Sequence, residues 1–146
     1  MIYIASDHGG FVLKEYLVKK LLAQKKELTD LGPKKLQPND DYPDYASVVA
    51  QKVSANPENI GILVCRSGQG VCIVANKFKN VRAVLVWNER QAKISRNDDM
   101  GNVLCLPSDF ISPSLAFKLV TLWLATPYSK DARHKRRVKK IAALES

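Results

Sequence analysis

The chain has 146 residues, 46% apolar and 25% charged, the size and balance of one globular domain. No apolar run approaches the roughly 18 residues of a membrane span, and the opening "MIYIASDHGG" lacks the basic start and long apolar stretch of a secretory signal. The net charge is +9, and seven of the 23 Lys and Arg residues fall in the last stretch, "SKDARHKRRVKKIAALES". A basic tail suits nucleic acid, an acidic membrane or an anionic metabolite. The tail has none of the interleaved aromatics that single-strand binders use, so nucleic acid is not the expected partner, nor is a membrane. Solvated helix faces account for most of the lysines.

The elements follow in chain order. "IYIAS" (2–6) reads as a buried strand ending in Ser-Asp-His-Gly-Gly. "FVLKEYLVKKLLAQKK" (11–26) carries apolar residues at helical spacing. "ELTDLG" (27–32) is a weak second strand, followed by a turn-rich, proline-rich stretch (33–43) and a helix (44–55). "IGILVC" (60–65) is a continuous apolar run, as in a strand covered on both faces. A glycine-rich turn and a helix (69–79) come next, then a strand (82–87), a polar helix (88–98), a strand (102–107), an apolar helix with a Ser-Pro start (112–125) and a basic helix (130–145).

Strands alternating with helices predict a single α/β domain over 1–146: a five-stranded, mainly parallel sheet with helices on both faces. Ligands bind such sheets beyond the carboxyl ends of the strands. Three loops are expected there: Ser6–Gly10, Cys65–Gly70, and Asn97–Gly101, the last only if its helix ends late.

The turn "VCRSGQGV" (64–71) is neither a P-loop nor a dinucleotide fingerprint, because GxxxxGK[ST] and GxGxxG are both absent. Consecutive amides at a helix start still form an anion nest, able to hold a phosphate or a developing oxyanion. Cys65 ends the strand beside that helix start, where thiolates are favoured. The local sequence leaves open whether it is a reactive thiol or a buried strand-end cysteine. Asp7 and His8 are equally open between a helix cap with an idle histidine and a functional pair. Cys72 and Cys105 read as core packing, and Trp87 and Trp123 as core or interface. With no CxxC pair among three cysteines, a disulfide framework and a structural zinc site are not expected; reduced thiols in the cytoplasm fit. Asp98, Asp99 and Asp109 lack a nearby histidine and make a poor metal-ligand set.

Five segments in order carry a resemblance over about residues 1–143: "IASDHGGFVLKEYL", "DYPDYA", "GILVCRSGQGVCIVANKFKNVRAVL", "NVLCLP" and "RHKRRV". Together they resemble the ribose-5-phosphate isomerase B family, which includes the galactose-6-phosphate isomerase subunits. The resemblance implies a Rossmann-like three-layer α/β/α fold, no cofactor or metal, and aldose–ketose isomerisation of a sugar phosphate through an enediolate. It also implies homodimers whose two sites each draw on both subunits, and in some members tetramers. Carried over by position, Cys65 is the proton-transfer base and Ser67 the relay between sugar oxygens. The amides of Arg66, Gly68, Gln69 and Gly70 through Val71 stabilise the enediolate. Asp7 and Tyr42 meet the sugar, while His8, Arg133 and Arg137 hold the phosphate with His134 nearby. Some members have a glutamate base at the position of Val71; valine here leaves Cys65.

The sequence departs from the family pattern at four positions. Arg66 replaces a glycine, Asp98-Asp99 replace a His-Asn pair used in ring opening and oxygen contacts, and Asp109 replaces an arginine. Asp98 is expected to share a proton with Asp99 and act as the ring-opening acid, with Arg66 pairing with one of them. The resulting expectation is ribose 5-phosphate to ribulose 5-phosphate isomerisation. A six-carbon sugar phosphate or a non-catalytic sugar-phosphate binder are the alternatives.

Overall fold

The computed structural model describes residues 1–145. The strands are β1 (Ile2–Ser6), β2 (Leu28–Asp30), β3 (Ile60–Cys65), β4 (Ala83–Leu85) and β5 (Val103–Pro107). The helices are α1 (Phe11–Ala23), α2 (Tyr42–Ala55), α3 (Gln69–Ala75), α4 (Glu89–Asn97), α5 (Pro113–Ala125) and α6 (Ala132–Ala142). All neighbouring strands are parallel, in the order β2-β1-β3-β5-β4. The expected α/β/α architecture is therefore present. Its elements are shorter than the apolar pattern implied: β2 and β4 have three residues each, and α3 stops at Ala75 rather than 79. These are the two edge strands, where one flank is unpaired and the ladder frays first.

Side-chain alternation divides the core. Ile4, Ile62, Val64, Leu104 and Leu106 pack with α1 and α5, around a fully buried Trp123. Ala5, Leu63, Cys65, Val103 and Cys105 point the other way, against Val49 and Val53 of α2 and Val71 of α3. Helices α1, α4 and α5 thus cover one face, and α2 and α3 the other. The chain leaves β1 and β3, which are neighbours, toward opposite faces. That makes the space between their carboxyl ends the topological switch point of the sheet.

One lysine departs from the solvated-face expectation. Lys14 is fully buried, with its ammonium 2.8 Å from Asp30 and 2.6 Å from Glu15. Burial raises the Asp30 carboxyl, but the hydrogen bonds from Lys14, the Gly32 amide and Lys34 outweigh it and leave the pKa lowered. The pair ties α1 to the end of β2, and so fixes where the loop after β2 departs.

Candidate active site

Two turns meet at the switch point. In the β3–α3 turn, Cys65 is nearly buried, 5% exposed, and its Sγ accepts the Gly68 N–H at 3.1 Å. Gly68 makes this possible by adopting φ +71°, and a Cβ there would lie 2.5 Å from Leu85 Cδ1. The first intrahelical bond of α3 runs from the Cys72 N–H to Gly68 O. The Gly70 and Val71 amides therefore have no carbonyl within the helix to donate to. The Gln69 amide reaches Ser67 Oγ at 3.4 Å. Tyr42, the first residue of α2, lays its ring against Gly70; a Cβ on Gly70 would stand 2.6 Å from the ring.

In the β1–α1 turn, Asp7 is buried and its carboxylate accepts the Gly10 N–H at 3.0 Å. Asp7 thus closes the turn that precedes α1; the N-cap of the helix is Gly10, without a side-chain bond, so the cap reading of Asp7 is not realised. His8 is fixed by a residue the sequence reading passed over. Asp40 Oδ1 accepts the His8 backbone N–H at 2.9 Å and lies 2.8 Å from its ring Nδ1. That bond, above the other influences, raises the His8 pKa; partial desolvation opposes it, Asp7 adds to it, and Arg66 subtracts from it. The only signal in the sequence was the turn composition of "NDDYP".

Arg66 packs its stem over Gly9 and places its guanidinium 3.6 Å from Asp109. The expected pairing of Arg66 with Asp98 or Asp99 is not made. Asp109 takes it because the Asp109 amide bonds back to Arg66 O, which brings the β3 and β5 ends side by side.

The remaining candidates lie elsewhere. Helix α4 runs back across the sheet and ends at Asn97, so Asn97–Gly101 sits at the amino edge and not the carboxyl edge. Val103, which follows this loop, pairs with Gly61, four residues before Cys65, or about 13 Å along the strand. Helix α6 is tied to the same edge at both ends, by the Ser129 N–H to Asn97 O and by the Asn80 N–H to Glu145 Oε2. One chain therefore gathers Asp7, His8, Tyr42, Cys65, Arg66, Ser67, Gly68, Gln69 and Gly70. It does not bring Asp98, Asp99, Arg133, His134 or Arg137 to them. Asp98 and Asp99 also diverge. Asp98 lies 3.7 Å from His134, whereas Asp99 lines clefts of about 530 and 570 Å3 beside β4.

Around the half-site stands an exposed apolar rim. Val12, Tyr42, Ile73, Trp87 and Phe110 come one from each segment that follows a strand. Phe110 is 74% exposed and Val12 75%. Acidic residues share this edge: Asp7, Asp40, Asp41, Asp44 and Asp109. The exposed cations of α6 mark the opposite one.

Fold and geometry define a doubly wound parallel α/β protein with a thiol and a nest of amides at its switch point, a class that binds small anionic ligands there. The family model described as Ribose/Galactose Isomerase matches residues 2–141, and the chain belongs to that family. A relative from Mycoplasma pneumoniae named as a probable ribose-5-phosphate isomerase B is 48% identical over 144 residues, spanning 99% of this chain and 94% of its own length. The ribose-5-phosphate isomerase B of Escherichia coli is 38% identical, spanning 99% and 95%. The crystal structure of ribose-5-phosphate isomerase B from Mycoplasma genitalium with bound ribulose-5-phosphate superimposes with a TM-score of 0.95 at 44% identity, covering 99% of this chain and 95% of that one.

Proposed function

We propose that the whole chain forms one isomerase domain, working in the cytoplasm and interconverting ribose 5-phosphate and ribulose 5-phosphate. The observation that carries this is the Cys65 sulfur, hydrogen-bonded to the Gly68 amide where β3 ends at the switch point of the sheet. Donation from an N–H stabilises negative charge on sulfur. A thiolate there takes the proton from C2 of the open aldose and returns it to C1, through an enediolate. The Gly70 and Val71 amides are free to face the developing oxyanion. Ser67 is placed to pass the hydroxyl proton between O1 and O2, while Asp7 and Tyr42 line the sugar. His8, whose cationic form the Asp40 hydrogen bond favours, supplies charge for the phosphate.

The active unit of this proposal is a homodimer. Each chain holds half of the site at its carboxyl edge and the rest at its amino edge. Docking the acidic, apolar-rimmed carboxyl edge of one copy on the basic α6 of another covers Phe110 and Val12. It also brings Arg133 and Arg137 to the phosphate side of the partner's crevice. A two-fold arrangement completes two sites at once.

The test is exchange of solvent deuterium into ribulose 5-phosphate. Wild type is expected to exchange at C1, and Cys65→Ala to lose at least about a hundredfold of that rate. Exchange surviving in Cys65→Ala removes the sulfur from the mechanism. A wild type that binds without exchanging is a sugar-phosphate-binding protein.

A further inference from the structure

We infer that His134, hydrogen-bonded to Ser129 and flanked by Asp98, is the acid–base group that opens the sugar ring. This rests on the isomerase reading above and names the residue that prepares its aldose. An aldopentose 5-phosphate in water is closed through O4 onto C1, and no carbonyl is available for enediolate chemistry until that ring opens. Opening takes the proton from the O1 hydroxyl, forms the C1–O1 double bond, breaks C1–O4 and delivers a proton to O4. The ketopentose 5-phosphate needs no such step, because its O5 is esterified and cannot close on C2. One direction of the reaction therefore requires a proton shuttle that hydrogen exchange from the ketose does not.

The chain has two histidines. His8 has its Nδ1 committed to Asp40, a contact that favours its charged form and suits an anion better than a proton shuttle. His134 is different. Its side chain is 10% exposed, with Nδ1 2.8 Å from Ser129 Oγ and 3.7 Å from Asp98 Oδ1. Ser129 Oγ also accepts the Asp131 N–H at 3.1 Å and is itself held by the Ser129 N–H bond to Asn97 O. An acceptor and a carboxylate on the Nδ1 side favour the proton there and leave the lone pair on Nε2. Nε2 has no hydrogen-bond partner among the described residues and is not one of the sealed polar atoms. The imidazole is thus fixed on one side and open on the other, the arrangement of an oriented general base.

Position supports the same role. Arg137 lies three residues on and shares a helix face with His134. Arg133 is partly engaged by Asp131, at 3.0 Å. The face that offers a guanidinium to the phosphate therefore offers an imidazole to the sugar beside it. Nε2 takes the O1 proton and returns it to O4, so no proton is gained or lost. Ser129 fixes the ring and Asp98 flanks its Nδ1 side at 3.7 Å, in place of the shared proton with Asp99 expected from the sequence.

Two rates on the same dimer test this: conversion of ribose 5-phosphate, and deuterium exchange into ribulose 5-phosphate. His134→Gln is expected to lower the first about a hundredfold, and so to change the ratio of the two by more than tenfold. Asp98→Asn, at a partly exposed position, is expected to shift the ratio the same way by a smaller factor, with Asp98→Glu recovering part of it. Proportional loss of both rates, or an unchanged ratio, overturns the proposal. If His134→Gln does not fold, the Asp98 pair decides. A wild type that exchanges nothing overturns the isomerase reading itself, an outcome separate from these.

Discussion

His8 and Asp40 show how much one contact sets at this site. The sequence offers a histidine after a strand and an aspartate 32 residues away in a proline-rich loop, with nothing to link them. In the fold a single carboxylate oxygen fixes both the backbone and the ring of His8. Its raised pKa extends the cationic form to higher pH. The contact's contribution to stability is complete below the ordinary histidine value of about 6.5 and disappears as pH rises through the raised folded value. Substrate affinity is expected to follow the same edge, with KM for the sugar phosphate rising as His8 loses its proton. In Asp40→Asn, proton NMR of the His8 ring should show its midpoint dropping toward the ordinary value, and the rise in KM should move to lower pH with it. An unmoved midpoint would separate Asp40 from the charge of His8.

At the scale of elements, the β3–α3 turn holds the proposed base, and its two glycines fail differently. Gly68 has a positive φ, and a Cβ would meet Leu85 at 2.5 Å and the Leu106–Pro107 backbone at 3.1–3.2 Å. Gly68→Ala is expected to cost about 1–3 kcal/mol of stability and to lower kcat, because it displaces the amide that Cys65 accepts from. Gly70 has no such backbone requirement, and its crowding neighbour is a Tyr42 ring at the surface that can swing away. Gly70→Ala should therefore melt within a few degrees of wild type while raising KM, since Tyr42 leaves the sugar side of the crevice. Thermal melts alongside steady-state kinetics separate the two; equal stability losses would contradict this reading of the turn.

For the whole molecule, the proposed dimer, with a site divided between opposite edges of the sheet, makes a sharp prediction. Cys65→Ala and Arg137→Ala are each expected to be nearly inactive. Mixed, dissociated and reassociated in equal amounts, they should recover about a quarter of wild-type activity, because half of the dimers are mixed and each mixed dimer has one intact site. No recovery, in a mixture shown to exchange subunits, would mean that both residues serve the same site from the same chain. Placing a charge on the rim, as in Phe110→Glu, should shift the protein toward monomer in sedimentation and lose activity in step.

By itself the sequence determined the α/β alternation, the buried parallel sheet and the turn that begins at Cys65. These depend on periodicity within ten or fifteen residues and on glycine and proline punctuation, which are local physical constraints. The order of its motifs along the chain is distinctive enough to show the family resemblance, from which the candidate site residues are carried over. Only the tertiary structure decided which of those residues share a crevice. Strand order, the return path of α4 and the anchoring of α6 at both ends are products of long-range packing. They moved Asp98, Asp99 and α6 to the far edge, gave Arg66 to Asp109 and His8 to Asp40, and set Asp98 beside His134. A local pattern specifies what each residue offers; the sheet specifies what it meets, because contacts between residues distant in sequence exist only once the strands have paired.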